Sequence, residues 1–399
     1  MNFNVRRRSM LAGGLAAVTG AFLYHRGVRY PTLSLEASDL PTAVSSNGVA
    51  VSLSDCFQFY ASQTSFRAFA PEPKMVFSAT KNQRIEFELN NVSKRAILGT
   101  SAPNLNEDKD GITRRISFDI QADKDVELHW QVPFKDEFTF ASIGDSGGNH
   151  ELSWCLKRSA ELGAEFLLHL GDFNYQDGDY ERAIDLFHNA PIPCYITIGN
   201  HDFHDSGLLH HQFTDYLGPF NSVFSLGNVR FLNLDTAASV WPRSGGKRGR
   251  LVQRLIDEGQ EQPQTVAYSH CPLHDPSGIT THDIGSVRER DWVIDSLHKL
   301  NAKTLLSGHI HIFDRTEFMG IDNIIVGQGM GHQDLLTANM ATSKMALGKV
   351  RKDSDIEFEF APLNMPLELH CHPRMEPVKA SLRDGEHADL IKQVDAACS

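Results

Sequence analysis

Apolar and polar positions along the chain fall into two textures. From about Ser34 to Pro133 the apolar stretches are short ("GVAVSLS", "KMVFSA", "QRIEFELNNV", "RRISFDIQA", "DVELHWQV") and are separated by Pro, Gly, Asn and Asp clusters. Strict alternation in "RIEFELN" and "ISFDIQ" puts every second side chain on one face, as a strand of a two-sheet sandwich requires. After Lys135 apolar strands alternate with amphipathic helices. "FTFASIGD" precedes a helix over 151–163, and "EFLLHLGD" precedes one over 179–189. "CYITIGNHD" reads as a strand and "SVFSLGNVRFLNLDT" as a strand pair; helices are expected over 248–259 and 287–301, around the extended "QTVAYSHCP". "AKTLLSGHIH" is extended and "RTEFMGIDNIIVG" a hairpin. Strands apolar on both faces, alternating with helices, predict an α/β layered domain.

Beyond about Met340 the pattern thins to one further strand, "DSDIEFEFAPL", and a polar tail with a short helix near its end. Expected divisions are therefore a β-sandwich over 31–135, an α/β domain over 136–340 and a C-terminal strand and tail over 341–399. Residues 1–30 stand apart: a basic start joins a Gly- and Ala-rich apolar run from Met10 to Tyr24, the make-up of an export signal. Arg7-Arg8-Ser9-Met10-Leu11 resembles the twin-arginine signature, so the export machinery of that pathway is an expected partner and the destination periplasmic or extracellular. An ordinary secretory signal or a basic N-terminal anchor is the alternative, and membrane contact is expected only through this segment if it is not cleaved.

Charge narrows the function. Residues 1–30 hold five of the 38 Lys and Arg and none of the 50 acids, leaving the remainder at a formal charge of −17. A body so acidic repels polyanions, so nucleic-acid backbone is not an expected partner, whereas a local cationic centre can still attract a phosphate ester. The six cysteines are scattered without a C-x-x-C pair, which excludes a dense disulfide framework and a thiolate zinc site and leaves one or two bridges open.

The chemistry sits at the strand ends, where open α/β sheets bind ligands. They read Gly144-Asp145, Gly171-Asp172, Gly199-Asn200-His201-Asp202, Ser269-His270 and Gly308-His309-Ile310-His311. Carboxylate, amide oxygen and imidazole together suit borderline or hard cations. The set exceeds what one ion with an open position takes, and two ions sharing a carboxylate use it all, the arrangement that activates water for displacement at phosphorus.

This series resembles the calcineurin-like metallophosphoesterase family, D…GD…GNH(D/E)…H…GHxH, over about Phe138 to Gly331. The resemblance implies a four-layer core, two β-sheets packed together with helices outside, here behind a smaller all-β sandwich, and a hydrolase with two metal ions. The family's usual Asp-x-His opening is absent, since Ser146 and Gly147 follow Asp145. The purple acid phosphatase branch shows the same loss and supplies a tyrosine in Gly-Asp-x-x-Tyr, which Gly171 to Tyr175 match. By position, the resemblance implies Asp145, Tyr175 and His311 on the first metal, Asp172 bridging, and Asn200, His270 and His309 on the second. A phenolate favours a trivalent ion, so Fe(III) is expected at the tyrosine site and iron, zinc or manganese at the other. His201 would face the substrate, stabilising charge or protonating the leaving alkoxide, with Asp202 orienting its ring. His204, His210, His211, His274, His282 and His332 lie in nearby loops, and His169 reads as a core residue.

The expected activity is therefore hydrolysis of small phosphoric esters by a hydroxide on the metal pair attacking in line, acid phosphatase-like. A phosphodiesterase or phospholipid-directed hydrolase on the same core, and a non-catalytic surface binding protein on a decayed scaffold, are the alternatives.

Overall fold

The computed structural model describes residues 40–399 apart from 60–61, 205–209, 238–245, 260–263, 277–281, 283, 285, 331–342, 372–375, 377–378, 381–382 and 386–387. The expected export signal and His332 lie outside these residues, as do the side chains of His204 and His210. Among the described residues, the region before Pro133 forms ten strands: β1 (Ala43–Ser46), β2 (Val49–Ser54), β3 (Cys56–Gln58), β4 (Ser65–Ala68), β5 (Lys74–Ala79), β6 (Gln83–Asn90), β7 (Ile97–Thr100), β8 (Asn106–Asp110), β9 (Thr113–Ile120) and β10 (Val126–Gln131). They make two five-stranded sheets, β1-β2-β5-β10-β7 and β3-β4-β6-β9-β8. The alternation read from the sequence sets the register. Ile85 and Phe87 of β6 lie opposite Phe118 and Ile116 of β9, all buried, while Arg84 and Glu86 between them face solvent. Phe77 of β5 closes the sandwich, its ring 5.1 Å from Phe87 and 5.3 Å from Phe118 on the other sheet.

The α/β part begins with β11 (Glu137–Ile143), α1 (His150–Glu161), β12 (Phe166–His169), α2 (Asp179–His188), β13 (Cys194–Ile196), α3 (Asn200–His204) and α4 (His210–Tyr216). It continues with β14 (Ser222–Leu226), β15 (Val229–Leu234), α5 (Lys247–Asp257), β16 (Gln264–Ser269), α6 (Val287–Lys299), β17 (Ala302–Ser307), β18 (Phe313–Phe318) and β19 (Ile321–Val326). β20 (Lys344–Arg351), β21 (Glu357–Pro362) and α7 (Ala388–Ala397) complete it. One sheet has the order β13-β12-β11-β20-β21, the other β14-β15-β16-β17-β19-β18. Phe140 and Phe166 of the first meet Phe231 of the second at 5.1 and 5.4 Å. α5 and α6 cover the outer face of the second sheet, with Val252, Leu255, Val293, Ile294 and Leu297 packed on Leu232, Leu234, Ala267 and Leu305. The four-layer core implied by the sequence is present behind an all-β sandwich.

Two elements differ from the expectation. The strand expected over "CYITIGNHD" stops at Ile196, and Asn200–His204 is a short helix. β20, where the pattern was read as thinning, pairs antiparallel with β11 and extends the central sheet. Its apolar signal is diluted by Gly348, which sits opposite Phe140 and has no room for a Cβ beside that ring. At the C-terminal end, Cys371 and Cys398 form a disulfide that ties the end of α7 to the turn after Leu367–His370. The other four cysteines are free and buried.

Candidate metal centre

Three parallel strands of one sheet and two of the other end side by side. Asp145 N–H donates to Gly171 O (2.8 Å), Gly144 N–H to Val326 O (2.9 Å) and Gly308 N–H to His270 O (3.0 Å). Asp145, Asp172 and His309 take left-handed backbone conformations, with φ of 59°, 58° and 68°. Each costs on the order of 1 kcal/mol or more in a non-glycine residue and persists only where the surroundings enforce it. Here the Asp145 carboxylate accepts His309 N–H at 2.9 and 3.0 Å, locking two of the turns together. The glycines allow this closeness: a methyl group on Gly199 would overlap Asp172, and one on Gly308 would overlap the Asp145 carboxylate.

Asp172 is the hub. Its Oδ1 accepts His201 N–H at 3.0 Å, and its Oδ2 lies 3.4 Å from His270 Nε2 and 3.3 Å from the Tyr175 hydroxyl. On one side His270 Nε2 is 2.8 Å from Asn200 Oδ1 and 3.1 Å from His309 Nδ1. Ligand atoms of Asp172, His270 and His309 all lie within 4.8 Å of one another. On the other side Tyr175 Oη is 3.1 Å from His311 Nε2, which is 3.5 Å from Asp145 Oδ1. The structure thus gathers all seven residues expected as metal ligands into two clusters flanking one carboxylate.

The donor set fits cations on chemical grounds. His270 Nδ1–H donates to Leu170 O at 2.8 Å, which fixes the tautomer that leaves a lone pair on Nε2, as a metal-binding imidazole requires. That lone pair meets the Asn200 oxygen and another imidazole nitrogen, an assembly of acceptors that positive charge relieves. Without a cation, a proton on His270 Nε2 meets the same demand. Burial works against charge on His270, yet the Asp172 carboxylate and its hydrogen bond more than offset this and take the imidazole up to about 9. Burial would raise Asp172, but His270 holds it below the ordinary carboxylate range. Burial, then the neighbouring His270, pushes His309 down to about 3, and Asp145, fully buried, is raised by desolvation.

Tyr175 is held by a residue the sequence did not single out. Asp179, at the start of α2, accepts the N–H groups of Tyr175 and Gln176 on Oδ2, both at 3.1 Å, and Arg182 on Oδ1 at 2.6 Å. An Asp at a helix start, four residues past Tyr175, is ordinary N-terminal chemistry, so nothing in the sequence marked it as a clamp. Ser146, beside Gly147 where the family's histidine is missing, bonds to His169 Nε2 at 2.9 Å. His169 is buried between Phe173 and Phe187, and desolvation lowers it to about 3, a neutral core residue as expected.

Asp202, expected beside His201, also has a role in the backbone of the site. Its carboxylate accepts Asp172 N–H and Gly199 N–H on Oδ2 and Phe173 N–H on Oδ1, each at 2.8 Å. Both oxygens accept backbone amides, so Asp202 braces the two strand-end turns. The His201 ring is a third exposed, with Nε2 4.0 Å from Asp172 Oδ2 and its centroid 4.5 Å from the Tyr175 ring. Of the other histidines, His282 packs edge-on against His309 at 5.3 Å, with Nδ1 3.5 Å from Asp275. His274 stacks on Phe318 at 4.8 Å, and His211 is exposed in α4.

Residues 128–313 match the model of the calcineurin-like phosphoesterase family. No curated protein sequence matches the chain. Among solved structures, a purple acid phosphatase from yellow lupin (Lupinus luteus) seeds is 13% identical, with 73% of this chain and 70% of that one covered at a TM-score of 0.49. A dimetal phosphatase from Danio rerio is 15% identical over 57% of this chain and 97% of its own, at 0.39. GAP50, the anchor in the inner membrane complex of Plasmodium, is 14% identical over 58% and 86%, at 0.44.

Proposed function

We propose, from the premise that residues 128–313 form a calcineurin-like phosphoesterase domain, that the chain is an exported, two-metal hydrolase of small phosphoric esters, acting as a phosphatase of the purple acid phosphatase type. The observation that carries this is the pair of donor clusters sharing Asp172: Asn200, His270 and His309 on one side, Asp145, Tyr175 and His311 on the other. Fe(III) suits the phenol side; iron, zinc or manganese suits the side of two imidazoles and an amide. Export is supported by the basic and apolar make-up of residues 1–30 and by the Cys371–Cys398 disulfide, a bond that persists in oxidising compartments.

A bound cation pair supplies Lewis acidity and a water of lowered pKa. The chain's own residues do the rest. The His270 ring is oriented by Leu170 O, and the turn that carries His309 is held by the Asp145 carboxylate through the His309 main-chain N–H, so both donors are positioned before substrate arrives. His201, the most open of the imidazoles touching Asp172, holds its Nε2 at the mouth of the centre, placed to give a proton to the departing alkoxide oxygen. His282 stands on the far side, against His309, where its partly exposed ring can bond a phosphate oxygen.

The test is hydrolysis of paired aryl phosphate mono- and diesters by the parent and by Asn200→Ala. Monoester hydrolysis in the parent, falling by about 10²-fold or more in the variant, is expected of a ligand substitution. Parental rates in Asn200→Ala contradict the reading, and preference for the diester moves the protein to a phosphodiesterase.

A further inference from the structure

β13 is three residues long and is the edge strand of its sheet, yet it leads directly into Gly199-Asn200-His201. Leu167 N–H donates to Pro193 O and Thr197 N–H to His169 O, both at 2.9 Å. These bonds point alternate residues of β13 at β12, so the N–H and C=O of Cys194 point outward, where an edge strand has no partner. Both are nonetheless satisfied. Cys194 N–H donates to Asn91 Oδ1 at 2.8 Å, and Asn91 Nδ2 donates to Cys194 O at 2.9 Å.

Asn91 comes from the β-sandwich, immediately after β6. It is fully buried, adopts φ of 68°, and gives its second Nδ2 proton to Ala68 O of β4 at 2.8 Å. One side-chain amide therefore reproduces a single rung of a β-ladder between the sandwich and the catalytic sheet. Asn90 beside it donates to His188 O at the end of α2 (2.9 Å) and accepts from the buried Arg67 at 2.7 Å. Phe59 lies 6.0 Å from the His188 ring and 6.1 Å from that of Tyr216 in α4. The sandwich thus holds the elements on either side of the Asn200 and His201 turn.

We propose that the N-terminal β-sandwich is a positioning element of the metal centre, and that Asn91 is the positioning residue through which it sets β13 and hence Asn200. Short edge strands open locally at low cost, and a donor displaced by a fraction of an ångström is a poor ligand. The inference rests on the reading of Asn200 as a cation donor, and the order of measurement separates the two.

Metal content of the parent is measured first; a parent that binds no cation overturns the metal reading itself. In the metal-loaded full chain, Asn91→Gly keeps the positive φ and deletes the amide. We expect the Cys194 amide to lose protection in hydrogen exchange and the cation on the Asn200, His270 and His309 side to bind about 10-fold more weakly, the size of supporting-residue effects at metal sites. The tyrosine-side cation should be retained, and kcat should fall about 10-fold with KM within about 2-fold. Phe77→Leu, a loss inside the sandwich core away from this contact, should lower stability while leaving both cations and kcat at parental values. If Asn91→Gly does not fold, Asn91→Asp, which keeps the acceptor for the Cys194 N–H and loses both donated bonds, is read by cation affinity and kcat alone. Parental affinity for both cations in the folded variant, or equal weakening of both sites, overturns the proposal.

Discussion

Asp202 shows how far a single residue can be read. As text, "GNHD" offers an acid beside an imidazole, and the pairing of the two is the natural reading. In three dimensions the carboxylate faces inward, where three backbone N–H groups need an acceptor. Leaving buried donors unpaired costs about 1–3 kcal/mol each, so Asp202→Ala is expected to lower unfolding stability by at least ~2 kcal/mol in denaturant titration. The pH profile of kcat should keep its shape in whatever activity survives; a displaced limb would show that Asp202 does tune His201. Asp55 offers a prediction away from the site. Burial, then repulsion from Glu72, raises its carboxyl to about 6. The native state therefore holds a proton that the unfolded chain, with an ordinary carboxyl near 4, has released. Stability is full below pH 4, falls as pH rises to about 6, and is level above. Asp55→Asn, which also tolerates the local φ of 60°, should flatten that slope and stabilise the protein at pH 7 by on the order of 1–2 kcal/mol.

At the scale of elements, the candidate donors that the structure brings together were legible because they lie at or just beyond apolar runs ending in Gly-Asp, Gly-Asn, Ser-His or Gly-His, a discontinuity that the sequence preserves. What supports them was not legible. The Asp179 clamp on Tyr175 and the Asn91 rung on β13 join residues through backbone groups, and backbone partners leave no trace in residue identity. β20 was missed for a related reason: Gly348 makes room for Phe140 across the sheet, so its composition answers a neighbour and not its own periodicity. Close passage of the strand-end turns yields a sharp test. Gly199→Ala sets a methyl group against Asp172, and an overpacked site costs about 1–3 kcal/mol. The variant is expected to lose turnover far more than stability, because the displaced group is the shared carboxylate; thermal unfolding and kcat measured on one preparation check this.

For the whole molecule, the presence of a β-rich part before an α/β part followed from the change of hydrophobic period near residue 135, while the contacts between the two parts did not. The sandwich reads as an accessory until Asn90, Asn91 and Phe59 are seen against α2, β13 and α4. The acidic body makes a local cationic centre the place where an anionic ester gains most, so affinity for such a substrate should weaken as salt screens that attraction. Chelation should cost stability as well as activity, since like-charged and acceptor groups packed around Asp172 are then left to repel. A lower melting temperature in chelator, restored by added metal, is the expected result. The central claim is that donors from five segments hold two cations about one carboxylate. Elemental analysis of the purified protein together with its visible spectrum tests this most directly. The account predicts two metal ions per chain and a phenolate-to-iron(III) charge-transfer band that disappears in Tyr175→Phe. A protein that hydrolyses phosphate esters with no bound metal would contradict it.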